Sequence, residues 1–157
     1  MNAFKQLLQQ PRRPDEDRPR ASHLRVPLGT WLMSASPIVA EALGHAGFDW
    51  AVLDMEHSPL EVPGVLSMLQ ALSTTKLAPV VRVPSNDPVV IKRVLDLGAT
   101  TLMVPLVQDA EEAARAVAST PSTAAMSSSA SSARGVSICT ISARPASAAC
   151  VSSLCVP

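Results

Sequence analysis

A repeat of strand and helix signals runs through the middle of the chain and limits what it can fold into. Four apolar segments alternate with four segments whose apolar residues recur at helical spacing, at a period of about 25 residues. The strand candidates are LRVPLGTWLM (24–33), DWAVLD (49–54), APVVRVP (78–84) and TTLMVPLV (100–107). Strands that are apolar on both faces and alternate with helices predict a parallel sheet covered by helices.

Capping residues indicate where the helices begin. Ser36-Pro37 begins the first helix, Asp87-Pro88 the third and Asp109 the fourth. A Ser or Asp side chain can accept from the free N–H groups of a first turn, and Pro suits the first helical position. The second helix lies in LEVPGVLSMLQALSTT (60–75), with Val65, Leu66, Leu69 and Leu72 on one face at helical spacing.

Four βα units predict an α/β fold that is the N-terminal half of a (β/α)₈ TIM barrel, followed by an irregular tail. An open flavodoxin-like sheet is the alternative, because four or five units also complete that fold. No Gly-rich loop of the GxGxxG or GxxxxGK[ST] kind follows a strand. This argues against a nucleotide site.

The composition changes sharply near residue 119. All thirteen Asp and Glu residues lie at or before Glu112, whereas all three Cys residues and a Ser/Ala-rich run lie after it. We therefore divide the chain into a poorly ordered leader (1–23), a partial barrel (24–118) and a tail (119–157). We interpret the tail as foreign to the fold, and our hypothesis is that a frameshift produced it.

Charge and hydropathy limit the classes of partner. The formal net charge is +0 and the pI about 6.8, which predicts no nucleic-acid partner. No apolar run reaches the roughly 18–20 residues that would span a bilayer. The first twenty residues also lack the apolar core of a secretory signal. These features predict a cytoplasmic protein without a membrane partner.

Ionisable residues cluster directly after the second predicted strand. The run FDWAVLDMEHSP (48–59) brings Asp54, Glu56 and His57 to the carboxyl end of an apolar strand, where parallel α/β sheets bind ligands. A histidine there can take or give a proton, and Asp54 could hold the second nitrogen of its ring. The alternative is a strand-end histidine bonded to the backbone.

Arg82 lies within the apolar third strand. A buried guanidinium needs an anionic partner, so Arg82 must face either a carboxylate of the protein or a carboxylate ligand. A bidentate clamp on the carboxylate of a 2-oxo acid suits its planar geometry. Trp31 also falls at a strand end, and we interpret it as a packing residue.

Two runs, GTWLMSASPIVAEALGHAGFDWAVLDMEHSP and PVVRVPSNDPVVIKRVLDLGATTLMVPLVQDAEEA, resemble the N-terminal half of the HpcH/HpaI aldolase/citrate lyase family. The resemblance covers Leu28 to Ser119. It implies a (β/α)₈ barrel that assembles as a hexamer. It also implies a metal-dependent pyruvate aldolase, a carbon–carbon lyase that cleaves a 4-hydroxy-2-oxo acid to pyruvate and an aldehyde.

The resemblance also implies residue roles. His57 in the D-x-E-H motif matches the catalytic histidine that moves the proton of the substrate's 4-hydroxyl, and Asp54 matches its partner. Arg82 matches the arginine that binds the pyruvate carboxylate and stabilises the enolate. The implied cofactor is a divalent metal, Mg²⁺ or Mn²⁺, which acts as a Lewis acid.

The sequence departs from this pattern in its second part. The family's metal ligands, a Glu and an Asp, come from the second half of the barrel, and this chain has no Asp or Glu beyond Glu112. Two interpretations follow. The chain is an aldolase half with a small 2-oxo acid as its substrate, or it is a truncated, non-catalytic fragment. On either interpretation we expect no activity from these residues alone.

Overall fold

The computed structural model describes residues 2–9, 27–120, 137–140 and 154–155. Along the chain its elements are α1 (Ala3–Gln9), β1 (Gly29–Leu32), α2 (Pro37–His45), β2 (Trp50–Asp54), α3 (Val62–Leu72), β3 (Ala78–Arg82), α4 (Pro88–Asp96), β4 (Thr101–Val104), α5 (Ala110–Ala118), β5 (Ser137–Thr140) and β6 (Leu154–Cys155). The four predicted strands and four predicted helices are all present. None of the helices in these ranges has the length and apolar character needed to cross a membrane.

The strands form one sheet in the order in which they occur along the chain. Strands β1 to β5 are parallel to their neighbours, and β6 adds to β5 in the antiparallel sense. A flavodoxin-like sheet would instead place its first strand between the second and third. The sequential order therefore excludes that alternative and confirms the prediction of a half-barrel made of βα units.

Local capping explains where the helices begin. Ser36 Oγ accepts from the Val39 N–H at 3.5 Å, and an Asp87 carboxylate oxygen accepts from the Val89 N–H at 2.9 Å. Asp109 likewise accepts from the Glu112 N–H at 2.8 Å. All three predicted caps are confirmed, and each satisfies a donor that the first helical turn leaves free.

The core lies between the sheet and the helices. Leu53, Val81 and Leu102 project from neighbouring strands and are fully buried. The side chains that α3 buries are Val65, Met68 and Leu72. Leu66, which the sequence pattern places on the same face, is 39% exposed. Successive helical residues are about 100° apart, so a stripe through Val65 and Met68 leaves Leu66 on the flank.

Helix α1 packs against the amino ends of the strands. The Phe4 ring meets the Trp50 ring edge-on at 6.0 Å between centroids. Asn2 donates from Nδ2 to the Thr100 carbonyl at 2.6 Å and to Thr101 Oγ1 at 3.1 Å. Both contacts lie at the amino ends of strands, so α1 leaves the carboxyl ends clear.

Two segments bear on the predicted domain division. α1 falls within the predicted leader, whose residues 10–23 lie outside the described part. β5 and β6 fall within the predicted tail, where Ile138 of β5 is 5% exposed and belongs to the core. The residues that separate these strands from α5 and from each other also lie outside the described part. The domain boundaries stay predictions.

Candidate active site

Asp54 and Arg82 form an ion pair at the carboxyl end of the sheet. They are the last residues of β2 and β3 and are partners in the register of these strands. Arg82 Nε donates to Asp54 Oδ1 at 2.8 Å, and Arg82 Nη2 donates to Asp54 Oδ2 at 2.5 Å. This is the two-point geometry in which a guanidinium matches a carboxylate best.

The ion pair changes the protonation behaviour of both groups. Asp54 is fully buried, and burial alone raises the pKa of a carboxyl group. Hydrogen bonds from Arg82 and from the Glu56 and His57 N–H groups, together with the guanidinium charge, outweigh this and lower the pKa of Asp54. The same hydrogen bond outweighs burial at Arg82 and raises the pKa of the guanidinium.

A tight turn after β2 brings two more ionisable residues to the ion pair. An Asp54 carboxylate oxygen accepts from the Glu56 N–H at 2.9 Å and from the His57 N–H at 3.2 Å. Ser58 Oγ donates to the Asp54 carbonyl. The turn is therefore closed by Asp54 itself, which fixes the direction in which Glu56 and His57 leave the strand.

Glu56 lies between Arg82 and His57. Its Oε2 is 2.9 Å from Arg82 Nη1 and 3.8 Å from His57 Nε2. The Glu56 side chain is 15% exposed, whereas the His57 side chain is 64% exposed. We call Asp54, Glu56, His57 and Arg82 the strand-end cluster. A single carboxylate thus links its two basic groups.

Trp31 completes the surroundings of Arg82. The Arg82 guanidinium carbon lies 4.6 Å from the centroid of the Trp31 ring, which is the geometry of a cation–π contact. Trp31 is on β1, which β2 separates from β3, and its side chain is 44% exposed. The position of Trp31 at a predicted strand end indicates only a packing residue. The alternation of side chains along β1 does not reveal a stacking partner on β3.

The structure places His57 and Arg82 together but corrects the expected role of Asp54. The hypothesis that Asp54 bonds the imidazole ring was wrong, because its contact with His57 is to the main-chain N–H. The Asp54 oxygens are already held by Arg82 and the turn. Glu56, named in the sequence but given no role, is instead the carboxylate nearest to the ring.

The described residues place no metal centre at the strand-end cluster. Within the described ranges, no group of three or more His, Cys, Asp or Glu side chains is arranged to hold a metal ion. A cavity of about 430 Å³ lies at the opposite end of the sheet, lined by residues that include Leu7, His45, Phe48 and Lys76. Since parallel sheets bind ligands at their carboxyl ends, we place the candidate site at the strand-end cluster and not at this cavity.

Comparison with known proteins gives a consistent result. The model of the HpcH/HpaI aldolase/citrate lyase family matches residues 27–140. The 2-dehydro-3,6-dideoxy-6-sulfogluconate aldolase of Pseudomonas putida is 59% identical over 91 residues, which are 58% of this chain and 36% of that protein. The 5-keto-4-deoxy-D-glucarate aldolase of Salmonella arizonae is 55% identical over 96 residues, 61% of this chain and 38% of that protein.

A solved structure agrees with the sequence relatives. It is the crystal structure of an HpcH/HpaI aldolase/citrate lyase family protein from Burkholderia cenocepacia, with a TM-score of 0.65 and 40% identity. The similarity covers 76% of this chain and 43% of that chain.

Fold and site together define an α/β protein of sequential βα units whose strand ends carry an arginine-centred ionic cluster. The chain belongs to the HpcH/HpaI aldolase/citrate lyase family, and the predicted resemblance is confirmed. It spans between 36% and 43% of the length of the three relatives named above. The family match extends to residue 140 and so includes β5, beyond the predicted boundary at residue 118.

Proposed function

We propose that this chain carries the pyruvate-binding half of an aldolase site. The observation that supports the proposal is the placement of Arg82 and His57 at adjacent strand ends, linked by Glu56. The family and the names of the relatives supply the reaction class, which is aldol cleavage. The proposed substrate is a 4-hydroxy-2-oxo acid, and the products are pyruvate and an aldehyde.

In this proposal Arg82 holds the carboxylate of the 2-oxo acid. A guanidinium has five N–H donors, and Asp54 takes only two of them. The three remaining donors lie on Nη1 and Nη2. Because Asp54 and Trp31 fix the plane of the group, these donors are held in place before the ligand arrives. The positive charge also stabilises the enolate that forms when the aldehyde leaves.

His57 moves the proton in this proposal. Its exposed imidazole takes the proton of the 4-hydroxyl group. The C3–C4 bond then breaks, the aldehyde leaves, and the electron pair stays on the pyruvate fragment as an enolate. A proton added at C3 completes pyruvate. Asp54 acts on this step only through the turn that it closes and through Arg82.

The described residues do not by themselves fit the divalent metal that the family implies. Asp54 accepts from Arg82 and from two main-chain N–H groups, so its oxygens are occupied. Glu56 faces Arg82. We propose that the metal ligands, a Glu and an Asp in the family pattern, belong to the second half of the barrel. The steps above use side chains of this chain alone.

The absence of acidic residues beyond Glu112 in the 157-residue sequence supports a second interpretation. In it the chain is a non-catalytic fragment that keeps the geometry of the strand-end cluster but not the reaction. The two interpretations agree that the site is incomplete. They differ in whether the cluster still functions once the second half is supplied.

An activity assay on a chimeric protein, which we call the graft, distinguishes the catalytic from the non-catalytic interpretation. Residues 27–118 are joined to the second half of the Salmonella arizonae aldolase, and pyruvate release from 5-keto-4-deoxy-D-glucarate is measured with Mg²⁺ or Mn²⁺. We expect the 157-residue chain to release no pyruvate and the graft to release it. His57→Asn in the graft should lower the rate by about 10²- to 10⁴-fold, the usual contribution of a general acid–base group.

The graft also provides its own controls. His45→Asn changes a histidine at the end of α2, away from the carboxyl ends of the strands, and should leave the rate unchanged. A folded graft without activity supports the non-catalytic interpretation. A graft in which His57→Asn retains full activity contradicts the role proposed for His57.

A further inference from the structure

Arg82 is held differently on its two sides. On one side Asp54 makes two hydrogen bonds, is fully buried, and is itself fixed by the turn after β2. On the other side Glu56 makes one contact through Oε2, at 2.9 Å from Nη1. Displacing Asp54 would leave a fully buried charge unpaired, which is costly, whereas Glu56 is held by one contact and is 15% exposed, so its displacement costs less.

The Glu56 carboxylate occupies the edge of Arg82 that a carboxylate ligand would need. Asp54 takes Nε and one donor of Nη2, so a ligand must approach Nη1 and the remaining donor of Nη2. Nη1 already faces Glu56 Oε2. A ligand that binds Arg82 at Nη1 therefore competes with Glu56.

A displaced Glu56 would still have a basic neighbour. Its Oε2 is 3.8 Å from His57 Nε2, so the imidazole is a second nitrogen partner within reach of this carboxylate. Within the described part of the chain, the charged contacts of this carboxylate are with Arg82 and His57. The same side chain can thus pass from the guanidinium to the imidazole without losing its polar neighbours.

We infer that Glu56 is an internal counter-ion, which a small carboxylate ligand displaces from Arg82 and which then pairs with His57. This inference rests on the proposed function, because it takes Arg82 as the carboxylate anchor. Glu56 acts through Arg82 and is a positioning residue. Its loss should strengthen ligand binding, whereas the loss of a residue that only braces Arg82 should weaken it.

The test is a pyruvate titration of the full chain labelled with ¹⁵N. The indole N–H of Trp31 reports on Arg82, because the guanidinium lies over its ring. The indole N–H of Trp50, which packs against Phe4 at the other end of the sheet, is an internal control. We expect the dissociation constant for pyruvate to fall about two- to fivefold in Glu56→Gln, as expected for removal of one weak ion pair.

A matched variant separates competition from general repulsion. Glu61→Gln removes the same charge from an exposed position five residues further on, and it should change the affinity much less. Equal gains in both variants would overturn the inference in favour of general electrostatics. Unchanged or weaker binding in Glu56→Gln would overturn it in favour of a bracing role.

The titration also separates this inference from the proposed function. If the original chain and Glu56→Gln both fail to bind pyruvate, or if Arg82→Lys binds it as well as the original chain, Arg82 is not the anchor and the proposed function fails. If both proteins bind pyruvate equally and Arg82→Lys abolishes binding, the anchor stands and only the displacement of Glu56 is overturned. A spectrum that keeps the Trp50 signal of the original chain shows that a variant is folded.

Discussion

Asp54 and Arg82 lie directly opposite each other in the register of β2 and β3, and their side chains form a two-point ion pair across that register. Asp54 is fully buried and Arg82 is 12% exposed. The pair therefore joins β2 and β3 at the end of the sheet where the candidate site lies. In the proposed site it also orients the guanidinium for a ligand, because Asp54 takes only two of the five N–H donors.

We predict that Asp54→Asn destabilises the chain by about 3 kcal/mol, since it removes the charge of the two-point partner of Arg82 in a poorly solvated position and leaves the guanidinium with the single Glu56 contact at Nη1. The free energy of unfolding, measured by urea denaturation, tests this. Asp96→Asn is the matched control, because Asp96 is exposed in the last turn of α4. Equal stability of the two variants would show that the ion pair contributes nothing.

The contribution of Asp54 to the free energy of unfolding should decrease in acid. The pKa of Asp54 is lowered in the folded chain, so in acid the unfolded state binds the proton more readily. The contribution is therefore complete above the ordinary Asp pKa of about 3.9 and is lost as the pH falls through the lower folded value. The difference in unfolding free energy between the original chain and Asp54→Asn should shrink below about pH 4. A difference that stays constant down to pH 2 would contradict this.

Leu106→Gly and Leu66→Gly should differ by about 2 kcal/mol in their effect on the free energy of unfolding. Leu106 follows β4 with a φ of 58°, a left-handed conformation that costs a residue with a side chain about 1–2 kcal/mol. Leu66 is in α3, where Gly costs about 1 kcal/mol. Leu106→Gly should therefore be the milder change by urea denaturation. The opposite order would show that the side chain of Leu106 matters more than its backbone.

Gly29 should not tolerate a methyl group. Gly29 and Trp50 are register partners on β1 and β2, and a Cβ at Gly29 would collide with the Trp50 ring. We expect Gly29→Ala to destabilise the chain by about 1–3 kcal/mol and to change the fluorescence of Trp50. Gly64→Ala is the control, because a Cβ there meets only the tip of Leu60 and Ala favours a helix. A Gly29→Ala variant with unchanged fluorescence would refute the close contact.

The frameshift hypothesis is open to a direct test. The acidic residues end at Glu112, and the Ser/Ala-rich composition begins near residue 119. We predict that another reading frame of the coding DNA, downstream of the codons for residues 117–121, encodes further βα units with Asp and Glu residues. The nucleotide sequence is the measurement. If neither of the other frames contains such units, the tail has another origin.

Much of the fold could be predicted because its signals are local. The caps at Ser36, Asp87 and Asp109 bond to N–H groups two or three residues away. β5 carried no such signal, since Ser137–Thr140 is a short stretch whose pairing with β4 depends on tertiary structure. The Ser/Ala-rich composition around it predicts no strand.

The candidate site could be predicted only in part for the same reason. The sequence pointed to Asp54, His57 and Arg82 as ionisable residues near strand ends. Which of them pair depends on the register of strands that are 28 residues apart in the chain. Asp54 therefore pairs with the guanidinium of Arg82 and not with the imidazole of His57. The register of β2 and β3 places Arg82 opposite Asp54 on the same face of the sheet.

The sequential order of the strands has a consequence for the synthesis of this chain. Each of β2, β3 and β4 pairs with the strand made just before it, so pairing never has to wait for a distant segment to leave the ribosome. Contacts between segments close in the chain form quickly, and a growing chain can complete them in order. We therefore expect nascent chains that end after β3 to have already formed the Asp54–Arg82 ion pair.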